Sequence, residues 1–267
     1  MKNTVTLLEE MSCRAWPALT TRCVGGWRLR FADGLTRRAN AVHPLYVEGE
    51  HGASLDDREL GMRVSLCEGL YASAGLPVHF KLTPASAPEN LEDFLADQGY
   101  VRSEAVPVLA RDLDDIAPGL PDDLPDGLTF TVEQRRSDVW TAHFFRNNDV
   151  PRQRFDLYQQ LFDMVGLPTA YVTLCSHQQA LAVARAVMDG TRVGLFNIAV
   201  AADARRQGHG QQITRALLGW GRAAGAEHAY LQVHPANDPA LALYEGLGFY
   251  EAYSYWYRTL ELPHKHA

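Results

Sequence analysis

The run Arg205-Arg206-Gln207-Gly208-His209-Gly210 separates a strand pattern from a helix pattern, and its reading decides the fold. Before it, Val193–Val200 (VGLFNIAV) is almost wholly apolar, as a strand buried on both faces must be. After it, Ile213, Ala216, Leu217 and Trp220 recur on one helical face as far as Ala224, and Gly225 is a suitable stop. The glycines let the backbone approach a ligand closely and take angles that a Cβ forbids. The first N–H groups of the helix have no acceptor within it, and its dipole adds positive potential there. Such a start binds anions, and a diphosphate suits it. Arg205 and Arg206 add charge-assisted bonds to phosphate oxygens. No Lys-Ser or Lys-Thr follows the glycines, which excludes a nucleoside-triphosphatase loop. Gly208-x-Gly210-x-x-Ile213 lacks the third glycine of a dinucleotide fingerprint.

The surrounding segments extend the α/β reading. Leu128–Glu133, Thr169–Cys175 and Ala180–Met188 are strand-like, and Asp189-Gly190 marks a hairpin. Asp138–Arg146 and Pro151–Val165 are helical in pattern. Tyr230–Val233 is a buried strand, Asp238-Pro239 opens a short helix that Gly248 ends, and Glu251–Leu260 is the last strand. The order Ala-Gly, strand, proline, helix, Gly-aromatic occurs twice. It runs from Gly75 to Gly99 in AGLPVHFKLTP…QGY, and from Gly225 to Gly248 in AGAEHAYLQVHP…LGF. Two copies of one fold are the natural reading. Asp112–Gly127 (DLDDIAPGLPDDLPDG) has six aspartates and three prolines, so it reads as an extended acidic linker. The expected domains are therefore 1–111 and 128–267, joined by 112–127.

Composition bounds the function. The chain has 267 residues, 46% hydrophobic and 21% charged, which suits packed domains. Its net charge of −7 speaks against a nucleic-acid partner. The charge is uneven: residues 1–127 carry −8 and residues 128–267 carry +1. An acidic half attracts cations, and a balanced half tolerates an anionic ligand. No apolar run is long enough to span a membrane, and Met1–Met11 has no signal-peptide core, so a cytoplasmic location is expected. Cys13, Cys23, Cys67 and Cys175 form no CxxC pair, and His264-Lys265-His266 is too short to specify a metal site, so no metal is expected. Trp16, Trp27 and the Arg37-Arg38-Ala39-Asn40 run either belong to the core and a solvated face or help to shape an acceptor pocket.

Twenty-seven residues after Gly210 begins Asn237-Asp-Pro-Ala-Leu-Ala-Leu-Tyr-Glu-Gly-Leu-Gly-Phe249. With the loop, this segment resembles the GNAT superfamily of acyl-CoA-dependent N-acyltransferases. Arg205, Gly208 and Gly210 match that family's R/Q-x-x-G-x-G/A loop. Asn237, Ala240, Tyr244, Gly248 and Phe249 match its N-x-x-A-x-x-x-Y-x-x-x-G-F segment. The match covers about residues 128–262, and the first half looks like a degenerate copy without the loop. The resemblance implies two tandem α/β domains, each with a mixed, partly splayed sheet flanked by helices. It implies that the backbone of Ile198, Ala199 and Val200 faces the pantetheine arm and the thioester. Arg205, Arg206, Gln207, Gly208, His209, Gly210 and Gln211 would hold the pyrophosphate. Asn237 would bond to the cofactor arm, Ala240 would leave it room, and Tyr244 would sit near the sulfur.

The implied reaction moves an acetyl group from acetyl-CoA to an amine, a small molecule or a peptide, by direct attack. The amine must lose a proton, so a base or a water chain is needed. Donors must meet the developing oxyanion, and the leaving thiolate needs a proton or a strong donor. Tyr244 suits the last task. The strand Val193–Val200 holds no carboxylate, and Asn197 can only order a water or the amine. His234 is the nearest titratable alternative in sequence, and His143, Asp149 and Glu245 are further candidates. A non-catalytic acyl-CoA sensor or a scaffold is the alternative reading. Acceptor and oligomeric state are not legible.

Overall fold

The computed structural model describes residues 2–46, 54–177 and 179–260, so the His264-Lys265-His266 tail lies outside the described residues. The first copy runs α1 (Lys2–Ala15), β1 (Thr20–Val24), β2 (Trp27–Phe31), β3 (Val42–His43), α2 (Asp57–Ser73), β4 (Val78–Leu82), α3 (Leu91–Asp97), β5 (Val101–Arg102) and β6 (Val106–Asp112). The second begins with β7 (Leu128–Glu133), α4 (Asp138–Asn147), α5 (Phe155–Asp163), β8 (Thr169–Ser176), β9 (Gln179–Asp189) and β10 (Arg192–Val200). It ends with α6 (His209–Ala223), β11 (His228–Gln232), α7 (Asp238–Gly246) and β12 (Tyr250–Leu260). Strand, helix, parallel strand, helix recurs as β3-α2-β4-α3 and β10-α6-β11-α7, so the repeat seen in the sequence is a repeat of topology.

The chain forms two compact units. In the first, β1, β2 and β3 pair antiparallel, β3 runs parallel to β4, and β12 lies antiparallel to β4 with β5 against it. Trp27, Leu29, Leu60, Tyr71 and Phe80 form its core, each almost wholly excluded from water. Trp16 and Trp27 are both buried. The Trp16 indole donates to the Thr36 hydroxyl at 3.1 Å and that of Trp27 to the Ala87 carbonyl at 2.9 Å, so they are packing residues. Arg37 lies over the Tyr257 ring and Arg38 over Trp16, while the Asn40 carboxamide ties the loop from Ala32 to Thr36. A buried ion pair joins Glu9 and Lys81 at 2.5 Å, and the Tyr253 hydroxyl donates to the same carboxylate at 2.8 Å.

In the second unit, β7, β8, β9 and β10 pair antiparallel, β11 runs parallel to β10, and β6 lies antiparallel to β11. The hairpin at Asp189-Gly190 closes with Asp189 opposite Arg192, and Gly190 has φ +58°. Successive strand residues point to opposite faces. Val172, Ala184, Val193 and Leu195 meet Ile213, Ala216 and Leu217 of α6 on one face. Tyr171, Arg185 and Phe196 face the aromatic layer of α4 and α5, where Trp140 and Phe162 pack edge-on against Tyr171. The Arg185 guanidinium sits between the Phe162 and Phe196 rings, 5.2 Å from each centroid. A buried leucine-sized side chain stabilises such a core by about 1.5–3 kcal/mol.

Two boundaries differ from the sequence expectation. The unit division falls between Pro107 and Val108, and residues from Tyr253 join the first unit rather than the second. Each sheet is completed by the last strand of the other copy: β6 pairs with β11 and β12 with β4. Nor does 112–127 behave as a free linker. Leu113 is fully buried, Ile116 and Leu124 pack on the second unit's core, and Gly119 N–H bonds to the Gly219 carbonyl at 2.9 Å. Sparse leucines and an isoleucine supply enough apolar surface to dock the segment, although no periodic face runs through it.

Candidate functional site

The parallel pairing of β10 and β11 runs from Arg192–His228 to Leu195–Leu231 and stops there. Two residues later Asn197 adopts φ +56°, and the register against β9 shifts between Phe196 and Ala199. This is a β-bulge, which bends a strand and resets which residues face which side. Val193 and Leu195 face α6 before it, and Ile198 and Val200 face the same core after it. Ala199 and Val200 remain paired to β9, so their other edge opens into a cleft.

The cleft has a volume of about 640 Å³. Ile198, Ala199 and Val200 line one wall. Arg205, Arg206, Gly208, His209, Gly210 and Gln211 line the end where α6 begins, and Asn237, Ala240 and Tyr244 line the side formed by α7. Gly208 occupies the N-cap of α6 at φ +81°, a backbone state that a side chain would strain, and no side chain caps the helix. The N–H groups of His209 and Gly210 therefore have no acceptor among the described residues. Gly210 is backed so closely by Leu243 that a Cβ would lie 3.0 Å from that side chain. The Arg205 Nε donates to the Val200 carbonyl at 3.4 Å, which draws its guanidinium toward the open strand edge.

The matching helix of the first copy is built differently. Its N-cap, Asp56, accepts from Glu59 N–H at 2.8 Å, and Asp57 and Glu59 sit in its first turn. Carboxylates already occupy the positive end of α2, so it offers an anion nothing.

Three expected residues stand outside the cleft lining. Asn197 makes the bulge instead of facing the cavity. Gln207 braces the loop by donating to the Asp203 carbonyl at 3.2 Å. His234 is exposed, and its Nδ1 accepts the Ala236 N–H at 3.2 Å in a local turn. Asn237, rather than Asp238, is the N-cap of α7: its Oδ1 accepts from Ala240 N–H at 3.3 Å, which leaves its amide donors for a ligand. No group of His, Cys, Asp and Glu among the described residues is arranged to hold a metal ion, and no described helix is long and apolar enough to cross a membrane.

Comparison with known proteins identifies the family. A family model described as the C-terminal part of the probable histone acetyltransferase Rv0428c matches residues 3–258. The uncharacterized N-acetyltransferase YobR of Bacillus subtilis (strain 168) is 30% identical over 252 residues, 94% of this chain and 96% of its own length. The chain belongs to the GNAT N-acetyltransferases. The ribosomal protein bS18-alanine N-acetyltransferase of Escherichia coli (strain K12) is 41% identical over 132 residues, 49% of this chain and 76% of that enzyme. A GCN5-related N-acetyltransferase from Kribbella flavida shares the fold with a TM-score of 0.71 at 17% identity, covering 99% of this chain and 96% of that one.

This GNAT chain is thus an acetyl-transferring enzyme, and the tyrosine of its second motif lies in the cleft. Tyr244 is 8% exposed, and burial pushes its hydroxyl up to about 12. Its ring meets Phe249 edge-on at 5.8 Å, so the two motif aromatics pack together. Sequence reasoning missed the α4 side of the cleft, where Asn147 and Asn148 line the wall. Their signal was position: the end of a helix that packs on β9 and β10 falls beside the splayed edge. His143, one turn before Asn147, is 5% exposed, and its Nε2 has no hydrogen-bond partner among the described residues. Asp149 and Glu245 are exposed and do not line the cleft.

Proposed function

We propose that the second unit binds acetyl-CoA and transfers its acetyl group directly to an amine. The observation that carries this reading is the pair of unpartnered N–H groups at His209 and Gly210, at one end of a cleft whose wall is an unpaired strand edge. The residues fit the donor. The α6 start, with Arg205 and Arg206, suits a diphosphate. The open edge of Ile198–Val200 suits the amide-bearing pantetheine arm, as an added strand would. Ala240 is small, and Asn237 keeps its amide donors free on the opposite side.

Tyr244 serves the leaving sulfur as a hydrogen-bond donor rather than as a full acid. A thiol has a pKa of about 8.5, so complete transfer from a phenol held near 12 is uphill by about 5 kcal/mol. The same burial keeps the hydroxyl protonated at every working pH, and a donor to an ionised acceptor is worth about 1.5–3 kcal/mol. Backbone N–H groups on the open edge of β10 would meet the carbonyl oxygen as charge develops there.

The acceptor is an amine, and a peptide N-terminus is the class supported by the relative that acetylates an alanine of ribosomal protein bS18. The test pairs two measurements on the full chain. Acetyl-CoA should raise the melting temperature, because a ligand of the native state stabilises it. Free thiol should then appear when a peptide with an N-terminal alanine is added, and a panel of small amines compares the other class. An unmoved melting temperature rejects the donor.

A further inference from the structure

We infer that Asn147 and Asn148 hold the acceptor's nitrogen, accepting its N–H groups through their side-chain oxygens, and so make the cleft specific for a primary amine; the inference rests on the acetyl-transfer reading above. Both residues line the same cleft as the open strand edge of Ile198–Val200 and the start of α6. Asn147 is half-buried and Asn148 exposed, so each can reach a ligand that enters. Asn147 ends α4, and Asn148 is its C-cap. The two therefore come to the cleft from an element that the anion-binding α6 start does not use.

Hydrogen bonding fixes which way the two carboxamides face. Asn147 Nδ2 donates to the His143 carbonyl at 2.8 Å, and Asn148 Nδ2 donates to the Phe144 carbonyl at 2.9 Å. A carbonyl can only accept, so each amide must present its nitrogen to the helix and turn its oxygen away from it. Neither Oδ1 has a hydrogen-bond partner among the described residues. The negative end of the α4 dipole lies at the same place. Two unpaired acceptors at a negative helix end suit a group rich in N–H donors and do not suit an anion.

The rest of the lining leaves this task to them. No carboxylate is among the described residues that line the cleft. The Asn237 Oδ1 is committed to Ala240 N–H, and the Thr214 hydroxyl donates to the Gly210 carbonyl. Gln211 stands in the first turn of α6, at the end of the cleft lined by Arg205 and Arg206.

An amide fits the chemistry better than a carboxylate would. A carboxylate beside the nitrogen stabilises the ammonium form, which has no lone pair to attack with. A neutral oxygen accepts an N–H of the free base without that bias. The free base of a primary amine has two N–H groups, one for each oxygen, and its lone pair is then the part of the nitrogen left unheld. A secondary amine has one N–H and leaves one oxygen unpaired. The cleft thus lies between two helix ends of opposite sign, the α6 start for an anion and the α4 end for an amine.

The test uses the full chain, acetyl-CoA, and a peptide with an N-terminal alanine beside its N-methylalanine counterpart. If the amine panel shows a small molecule to be the acceptor, that primary amine and its N-methyl form take their place. Asn147→Ala and Asn148→Ala should both keep the acetyl-CoA-induced rise in melting temperature, which also reports that they fold. Each should lower kcat/KM for the unmethylated substrate by about 3- to 10-fold, chiefly through KM. The wild type should prefer the unmethylated substrate, and the double variant Asn147→Ala/Asn148→Ala should lose about 3- to 10-fold of that preference. A double variant that keeps the full preference overturns the inference, and so does a loss confined to acetyl-CoA affinity. A wild type that acetyl-CoA does not stabilise overturns the donor reading instead, so the two failures are separable.

Discussion

Gly119 and Gly219 touch through their backbones: the N–H of Gly119 donates to the Gly219 carbonyl at 2.9 Å, and a Cβ on Gly219 would fall 1.9 Å from the Gly119 carbonyl oxygen. No atom can sit there, so Gly219→Ala must push the acidic segment off α6. The expected loss is about 1–3 kcal/mol, the usual range for overpacking. It reads as a drop of several degrees in melting temperature, since 1 kcal/mol shifts a domain of this size by about 2–4 °C. Gly69 on α2 has nothing within 4 Å, so Gly69→Ala should leave stability unchanged or raise it. Equal melting temperatures for the two variants would show that residues 112–127 are not docked.

Tyr244→Phe removes one hydroxyl from the cleft and leaves its ring in place. If Tyr244 stabilises the leaving sulfur, kcat should fall by about 10- to 100-fold, the equivalent of one hydrogen bond to a charged acceptor. Acetyl-CoA binding should hold, because the α6 start is untouched. Because burial pushes the hydroxyl up to about 12, the wild type should show no loss of rate from Tyr244 ionisation up to pH 10. A rate that falls between pH 8 and 10 in the wild type but not in Tyr244→Phe would contradict this.

Arg205 and Arg206 are exposed, so each should contribute modestly and in a salt-dependent way. The double variant Arg205→Ala/Arg206→Ala should weaken acetyl-CoA binding by about 10-fold at low ionic strength, and the gap to the wild type should narrow as salt is added. Calorimetry at two salt concentrations reads this directly. A gap that does not change with salt would indicate a steric rather than an electrostatic role.

The second copy was largely legible because its signals are local. Val193–Val200, the glycines that open α6 and the Asn237–Phe249 segment each carry their meaning within a few residues, and the structure puts their elements where the pattern placed them. Asn197 was only half legible: asparagine tolerates a positive φ better than most residues, but nothing in the run says that this one uses it to reset the facing of the strand after it. Asn147 and Asn148 were hidden for the reason that distance hides any contact, since they lie far from Ile198–Val200 in the chain yet share the cleft with them. The exchange of β6 and β12 could not be read at all, because both are ordinary strand patterns and partner choice depends on the assembled sheets.

Acid should destabilise the first unit through its histidines. His43 is fully buried, and burial first, then Arg30, Lys81 and Arg28, hold its imidazole well below the ordinary value; burial and Arg37 lower His79 to about 4. Both are thus bases that the unfolded chain protonates first. Their stabilisation is complete above about pH 6.5 and declines as pH falls below it, by up to about 1.4 kcal/mol per pH unit for each proton. Denaturant titrations at pH 7, 6 and 5 check the slope. His79→Gln should flatten it, and a stability unchanged from pH 7 to 5 would contradict the burial of both rings.

The crossing of β6 and β12 has a genetic consequence. A gene cut between its two repeats would encode halves that each carry a strand belonging to the partner and lack one of their own. The first repeat therefore cannot be deleted by a simple truncation, even though its helix α2 offers no anion site.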